Sequence, residues 1–136
     1  MRSPVTSPTA TAVGPYSHGI DSDPFIFCSG QTPVDPATGA LKSGSVADRT
    51  AQCFANLFDV LASAGLGPEH VVKVNVYLTD MDDFAEMNRA YAESFAEPYP
   101  ARTTIGVASL PLDSDIEIEL MARRPGHAEA SASEDF

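Results

Sequence analysis

The chain has 136 residues, of which 19 are acidic and 8 are lysine or arginine, so its net charge is −11 at pH 7. This length predicts one domain, and 43% hydrophobic residues are enough for a packed core. Binding to nucleic acid is disfavoured because that affinity comes mainly from basic residues. No apolar run is long enough to span a membrane, and residues 1–12 lack the apolar stretch of a secretory signal, so we expect a cytoplasmic protein without a membrane partner.

The first half of the chain contains a predicted strand and a predicted helix. The apolar run Phe25–Cys28 is typical of a strand, and the segment 32–39, with two prolines and a glycine, is typical of a loop. From residue 46 to residue 64 the apolar positions recur every three or four residues, which predicts a helix. These positions are Phe54, Leu57, Phe58 and Leu61.

The second half predicts a strand, a helix and two further strands. Apolar and polar residues alternate over 72–79, which predicts a half-buried strand. An apolar stripe follows over 84–95 and ends at two prolines, as expected of a helix. Residues 103–107 and 116–121 are then predicted to be strands.

This order of elements favours an α+β domain over residues 1–125, with a mixed sheet and two helices on one face. The strands are too apolar for the other face to stay in water, so we expect a homo-oligomer packed sheet against sheet. Residues 126–136 are rich in alanine, serine and glutamate, and we expect a flexible acidic tail there.

No residue pattern indicates a metal site or a disulfide. Cys28 and Cys53 lie in apolar contexts and form no CxxC motif, so we expect buried, reduced thiols. The histidines, His18, His70 and His127, lie far apart and lack the spacing of metal ligands.

Three charged residues allow a functional as well as an ordinary interpretation. Arg102 follows a proline-rich turn at the start of a strand, where it either pairs with a nearby acid or binds the carboxylate of a ligand with both arms of its guanidinium group. Glu117 and Glu119 share one face of the last predicted strand. They are ordinary exposed acids if that face is in water, whereas in a cleft between subunits one of them acquires a raised pKa and transfers protons.

Two polar positions in turns are also open to two interpretations. Tyr16 follows a glycine–proline turn and is either a core residue or a hydroxyl donor in a pocket. Ser29 ends the first predicted strand and is either a turn serine or a ligand contact.

Five segments in order resemble the Rid family, the reactive intermediate deaminases also called the YjgF family. They are Gly-Pro-Tyr-Ser at 14–17, Cys-Ser-Gly-Gln at 28–31, Asp-Phe-Ala-Glu-Met-Asn-Arg-Ala-Tyr at 83–91, Pro-Ala-Arg-Thr at 100–103, and Ile-Glu-Ile-Glu at 116–119. Single segments are weakly specific, but five in order over residues 13–124 are strongly specific.

The resemblance implies a chorismate-mutase-like fold and a homotrimer with clefts between subunits. It also implies hydrolysis of 2-imino acids such as 2-iminopropanoate and 2-iminobutanoate, or of their enamine tautomers, to 2-oxo acids and ammonia, with neither metal nor organic cofactor. The family's carboxylate-binding arginine falls on Arg102 and its catalytic acid on Glu117. Its pocket tyrosine falls on Tyr16, its strand-end serine on Ser29 and its helical asparagine on Asn88.

The chain departs from the family pattern at two positions. Many deaminating members have cysteine where this chain has Thr104, whose backbone carbonyl can still hold a water, and glutamate where it has Gly106. We expect Gly106 to leave extra room in the cleft, which leaves the substrate open among aminoacrylate, 2-aminomuconate and a pathway-specific imine. Two other classes also stay open: a metabolite-binding or chaperone-like trimer without catalysis, and an endoribonuclease, which the net charge disfavours.

Overall fold

The strands alternate strictly between buried and half-exposed side chains in the middle of the sheet. The computed structural model describes residues 2–8 and 14–126. Its strands are β1 (Ser3–Val5), β2 (Gly19–Ser22), β3 (Phe25–Gln31), β4 (Val71–Leu78), β5 (Ala101–Gly106) and β6 (Ile116–Arg123). In β4, Val74, Val76 and Leu78 are completely buried, while the residues between them are half-exposed. The sheet therefore has one buried face and one open face.

The six strands form one mixed sheet in the order β1-β2-β3-β6-β4-β5. Neighbouring strands are antiparallel except β4 and β5, which are parallel. A parallel pair needs a crossover connection, and the chain from Leu78 to Ala101 supplies one that contains a helix. The crossover leaves β5 at the edge of the sheet.

Both helices, α1 (Val46–Ser63) and α2 (Phe84–Ser94), cover the buried face. Phe54 of α1 is at the centre of an aromatic cluster, with its ring centroid 5.5 Å from that of Tyr91 and 5.2 Å from that of Phe95. Such contacts add to the burial of apolar area. They fix α2 beside the edge strand β5, which determines the position of the residues on its inner side.

The predicted α+β class, the mixed sheet and the two helices on one face are confirmed. The prediction lacked β1 and β2, because Ser3–Val5 and Gly19–Ser22 are too short to show an alternating pattern. It also started β5 at residue 103, whereas the strand begins at Ala101 and includes Arg102.

Two expectations concern features beyond the folded core. The predicted tail at 126–136 lies outside the described residues, apart from Gly126. In the part of the chain that the structure describes, neither helix has the length and apolar composition needed to span a membrane.

Removing the N-terminal cap of α1 should lower the free energy of unfolding. The Ser45 hydroxyl accepts a hydrogen bond from the Asp48 amide at 3.1 Å, and the Asp48 carboxylate accepts one from the Ser45 amide at 3.1 Å. We expect Ser45→Ala to cost about 1 kcal/mol in urea denaturation, because it removes the oxygen that accepts the bond from the Asp48 amide. Ser43→Ala, in the same exposed loop, is the control, and an equal loss there would contradict the assignment.

Candidate functional site

A cavity of about 700 Å³ opens beside the end of β3. Three of the residues singled out in the sequence, Tyr16, Ser29 and Glu117, line this cavity together. Its size is within the range of small-molecule sites in proteins. The structure therefore brings the predicted tyrosine, serine and catalytic acid into one place.

A bulge in β3 shapes the wall of this cavity. The pairing of β3 with β6 shifts between Cys28 and Gln31, so that Ser29 and Gly30 together lie opposite a single residue of β6. A methyl group added at Gly30 would lie 2.6 Å from Oε1 of Glu117, which is closer than atoms can pack. The missing side chain at position 30 thus provides the space in which the Glu117 carboxyl group lies.

Hydrogen bonds distinguish the two glutamates of β6. Glu119 Oε1 accepts hydrogen bonds from the Tyr77 hydroxyl and, at 3.1 Å, from Asn75 Nδ2. The bond to Glu119 raises the pKa of Tyr77 to about 12. For Glu117, by contrast, the structure of residues 2–8 and 14–126 shows no hydrogen-bond partner. Glu119 is therefore held in place, while the Glu117 carboxyl group remains available to a ligand.

The environment of Glu117 favours its protonated form. Burial beside the cavity raises the pKa of this carboxyl group above its ordinary value of 4.5, and the negative charge of Glu119 raises it further. A carboxyl group whose pKa moves toward neutrality both accepts and returns a proton more readily under physiological conditions. Glu117 therefore differs from an ordinary exposed acid, because its carboxyl group is partly buried beside a cavity of this chain.

Arg102 lies in a second cavity, of about 530 Å³, between β5 and α2. Its guanidinium carbon lies 4.6 Å from the centroid of the Tyr91 ring, and Nη1 donates a hydrogen bond of 2.7 Å to Asn88 Oδ1. No carboxylate of the described residues lies within ion-pair distance of this guanidinium group. The arginine is held by an amide and a ring, so its positive charge is uncompensated and suited to an anionic ligand.

Arg102 and Glu117 lie on opposite faces of the same sheet. Arg102 pairs with Val74, whose side chain points to the helices, whereas Glu117 pairs with Tyr77 on the open face. The structure brings Arg102 together with Asn88, as one pair, and Tyr16, Ser29 and Glu117 together in the first cavity. One chain does not bring the two groups into contact.

The two positions at which β5 departs from the family pattern are Thr104 and Gly106. Thr104 lines neither cavity, and its buried Oγ1 has no hydrogen-bond partner among the described residues. A methyl group at Gly106 would lie 3.1 Å from Cγ of Met81, so a larger side chain at this position requires that exposed methionine to shift.

Several residues of the two cavities were missed by sequence reasoning. His18 and Gln31 line the first cavity, and Tyr91 and Tyr99 line the second. Tyr91 lies three positions after Asn88 on α2, and this helical spacing places both residues on one side. No comparable local signal marks His18, because its hydrogen-bond partners Ser29 and Gln31 come from β3.

The described residues contain neither a reactive thiol nor a metal-ligand cluster. Cys28 and Cys53 are buried and unpaired, as predicted. Burial raises the pKa of Cys28 to about 12 and also raises that of Cys53. Across residues 2–8 and 14–126, no three histidine, cysteine or acidic side chains come together as a metal site.

Replacing Glu117 by glutamine should stabilise the protein at neutral pH. The pKa of Glu117 is higher in the folded protein than the unfolded value of 4.5. In the pH interval between these two pKa values, a rise in pH ionises Glu117 and lowers the free energy of unfolding. We expect Glu117→Gln to be more stable than the parent above the interval and equal to it below pH 4.5, in urea denaturation from pH 4 to pH 8.

Glu119→Gln is the matched control for this experiment. It removes a charge from the same strand but weakens the bonds from Tyr77 and Asn75, so it should lower stability at neutral pH. A Glu117→Gln variant less stable than the parent over the whole range would show that the carboxylate is stabilising.

Comparison with known proteins identifies the family. The family described as Endoribonuclease L-PSP matches residues 6–124. The mitochondrial protein mmf1 of Schizosaccharomyces pombe is 44% identical over 89% of this chain and 75% of its own length. The crystal structure of a Rid protein from Yersinia pestis is 33% identical, with a TM-score of 0.86, and covers 90% of this chain and 99% of that one.

A further solved structure carries a small ligand. The TdcF protein of Escherichia coli, described with bound serine, is 36% identical, with a TM-score of 0.85, and covers 90% of this chain and 98% of that one. The family match covers most of the folded chain and agrees with the five ordered segments of the sequence. This chain therefore belongs to the Endoribonuclease L-PSP family, which is also called the Rid or YjgF family.

Proposed function

We propose that this protein hydrolyses 2-imino acids of the 2-iminopropanoate and 2-iminobutanoate type to 2-oxo acids and ammonia. The observation that carries the proposal is an arginine that has no carboxylate partner among the described residues and is held by Asn88 and Tyr91. The other cavity of the protein contains a protonatable glutamate. A guanidinium group binds both oxygens of the substrate carboxylate. A relative of the same fold described with bound serine supports a ligand of this size.

The active site in this proposal is shared between subunits of a homotrimer. Arg102 and Glu117 lie on opposite faces of one chain, so a substrate of a few carbons contacts both only if they come from two copies. The open face supports such an assembly, because Phe25, Phe27 and Ile105 are 38%, 44% and 45% exposed. Three copies that each place the edge strand β5 against a neighbour's open face form a closed ring.

The reaction follows from the chemistry of these groups. Arg102 binds the carboxylate of the iminium form and positions C2. Ionised Glu117 accepts a proton as water attacks C2 and returns it to the nitrogen, so the resulting carbinolamine releases ammonia and leaves the 2-oxo acid. Tyr16 forms a wall of the site, and its hydroxyl group donates a hydrogen bond to the substrate. Ser29, Asn88 and the Thr104 backbone position the reactants. Free imines already hydrolyse in water, so positioning and proton transfer suffice without metal or cofactor.

Two other functions are tested by the same experiments. In a metabolite-binding or chaperone-like trimer, Arg102 binds a carboxylate but Glu117 performs no chemistry. An endoribonuclease is suggested by the family description, but eight basic residues and a net charge of −11 disfavour RNA binding. Aminoacrylate, 2-aminomuconate and a pathway-specific imine remain candidate substrates. Assays with a panel of imino acids would identify the preferred one. A cytoplasmic location stays a prediction, since three relatives from yeasts are described as mitochondrial.

Replacing Arg102 by lysine should abolish most of the deaminase activity. Imine is generated in the assay from alanine or 2-aminobutanoate by an amino-acid oxidase, and the release of 2-oxo acid is followed. We expect kcat/KM to fall at least about tenfold, mainly through KM, because an ammonium group binds a carboxylate at one point only. Arg89→Lys, exposed on α2, is the control. Parent protein that never accelerates the reaction would overturn the proposed function.

Mixing two inactive variants should restore activity. Arg102→Ala retains Glu117, and Glu117→Gln retains Arg102. A shared site is intact when its arginine comes from the second variant and its glutamate from the first. At random 1:1 assembly this holds for about a quarter of the sites. We expect about a quarter of parent activity after the variants are refolded together, with mixed trimers verified by native mass spectrometry. Mixed trimers without activity, or a monomer at working concentration, would contradict the shared site.

A further inference from the structure

The cavity that contains Glu117 has a further part of its wall that is apolar. Val34 and Pro36 lie in the loop after β3, and Pro111 and Leu112 lie in the turn before β6. Among the described residues that line this cavity there is no lysine or arginine, and no acid other than Glu117. Sites of this size hold drug-sized ligands, so a three-carbon imino acid leaves most of the cavity unused.

Leu112 is held at the cavity by a strained backbone. Its φ and ψ are 60° and 20°, in the left-handed region that is costly for residues other than glycine, and Asp113 follows with a φ of 58°. The side chain is 64% exposed, so burial in the core does not offset this cost. Ser114 fixes the turn, because its amide donates a hydrogen bond of 3.1 Å to the Pro111 carbonyl. Strained residues of this kind cluster at ligand sites.

The loop that carries Val34 is fixed before any ligand binds. Asn56 of α1 donates a hydrogen bond of 2.9 Å to the Val34 carbonyl, and its own side-chain oxygen accepts one of 2.9 Å from Gln52. Within the loop, the Asp35 amide donates to the Ala40 carbonyl at 2.8 Å. The loop is thus pre-formed, and the Val34 side chain contacts a ligand without prior rearrangement.

We propose that Leu112, Val34 and Pro36 bind the side chain of the substrate, and that the preferred substrates are 2-imino acids whose side chain is uncharged, apolar and longer than that of 2-iminobutanoate. This inference rests on the proposed function and adds side-chain specificity to its site. C2 of an imino acid carries a carboxylate, a nitrogen and C3. With the carboxylate at Arg102 of another copy and the nitrogen at Glu117, the chain that begins at C3 is left to contact the rest of the cavity.

The chemistry of this wall separates apolar side chains from charged ones. Each methylene group that moves from water into an apolar site strengthens binding about fourfold when it is fully buried. A second carboxylate, as in 2-aminomuconate, would lose water there without gaining a basic partner among the described lining residues. The pocket therefore favours imines with a longer hydrocarbon chain over dicarboxylic ones.

The kcat/KM for 2-iminohexanoate, divided by that for 2-iminobutanoate, tests the proposal. The two imines differ only in methylene groups remote from C2, and an amino-acid oxidase generates them from 2-aminohexanoate and 2-aminobutanoate. After subtraction of spontaneous hydrolysis, we expect a ratio of at least about three for the parent protein. Equal values for the two imines would overturn the proposal.

Two variants at position 112 separate the pocket from the turn. Asparagine accepts the left-handed conformation more readily than leucine, so Leu112→Asn preserves the turn and removes the apolar contact. We expect it to lower the ratio at least about twofold, with kcat/KM for 2-iminobutanoate changed by less than about twofold. Leu112→Met keeps an apolar side chain and should retain the ratio. An unchanged ratio in Leu112→Asn would contradict the assignment.

Val34→Thr tests the loop side of the wall with a side chain of the same shape. It should also lower the ratio at least about twofold, because it places a hydroxyl group against the hydrocarbon chain. Val72→Thr is the matched control, since Val72 is 41% exposed and lines neither cavity. An equal loss in Val72→Thr would show that the effect does not arise in the pocket.

The possible failures are distinguishable. If the parent protein accelerates hydrolysis of neither imine, the proposed function fails. If it accelerates both equally, only the side-chain pocket fails. If Leu112 instead belongs to a contact between copies, Leu112→Asn should dissociate at a concentration at which native mass spectrometry shows the parent assembled, and that result would also overturn the pocket.

Discussion

The strict alternation of side chains across the sheet is the constraint on which the candidate site depends. In β5, Arg102 shares the face of the helices, and in β6, Glu117 shares the open face. A shift of one residue in either register would reverse these positions and also move the buried residues of that strand into water. The core therefore fixes the separation of the two charged groups, because Ile116 and Ile118, the neighbours of Glu117 in β6, are completely buried on the face opposite to Glu117. In the proposed function, a small substrate that contacts both groups takes them from two copies of the chain.

Two local features make the groups on each face chemically distinct. On the open face, the bulge at Ser29 and Gly30 provides room for one glutamate, while Tyr77 and Asn75 hold the other. On the helix face, the aromatic cluster around Phe54 positions Tyr91 beneath the guanidinium group of β5. Two similar acids in one strand thus differ in their surroundings, because one is held by hydrogen bonds and the other lines the cavity. The positive charge stays uncompensated because α2 presents an amide and a ring instead of a carboxylate.

Periodicity predicted the elements that are long enough to repeat a pattern. The helix at 46–64 and the strand at 72–79 are found at Val46–Ser63 and Val71–Leu78, because burial on one face sets their spacing. The short strands β1 and β2 carry too few residues for such a signal. Arg102 and Glu117 were recognisable from their positions in ordered motifs, but His18 was not. Its burial and its bond to Gln31 depend on how β2 and β3 pair, which the sequence near His18 does not express.

The buried thiol of Cys53 provides an internal reporter of how rigid the cavity wall is. Its Sγ lies 3.3 Å from the carbonyl oxygen of Gln31, the residue that orients His18, and the side chain has no contact with solvent. An alkylating reagent reaches this sulfur only when α1 and the end of β3 separate, so the rate of modification measures the frequency of that opening. A small anion that tightens the pocket would slow the labelling. The same shielding protects the cysteine from oxidants, so ligand occupancy and resistance to oxidation are expected to rise together in this protein.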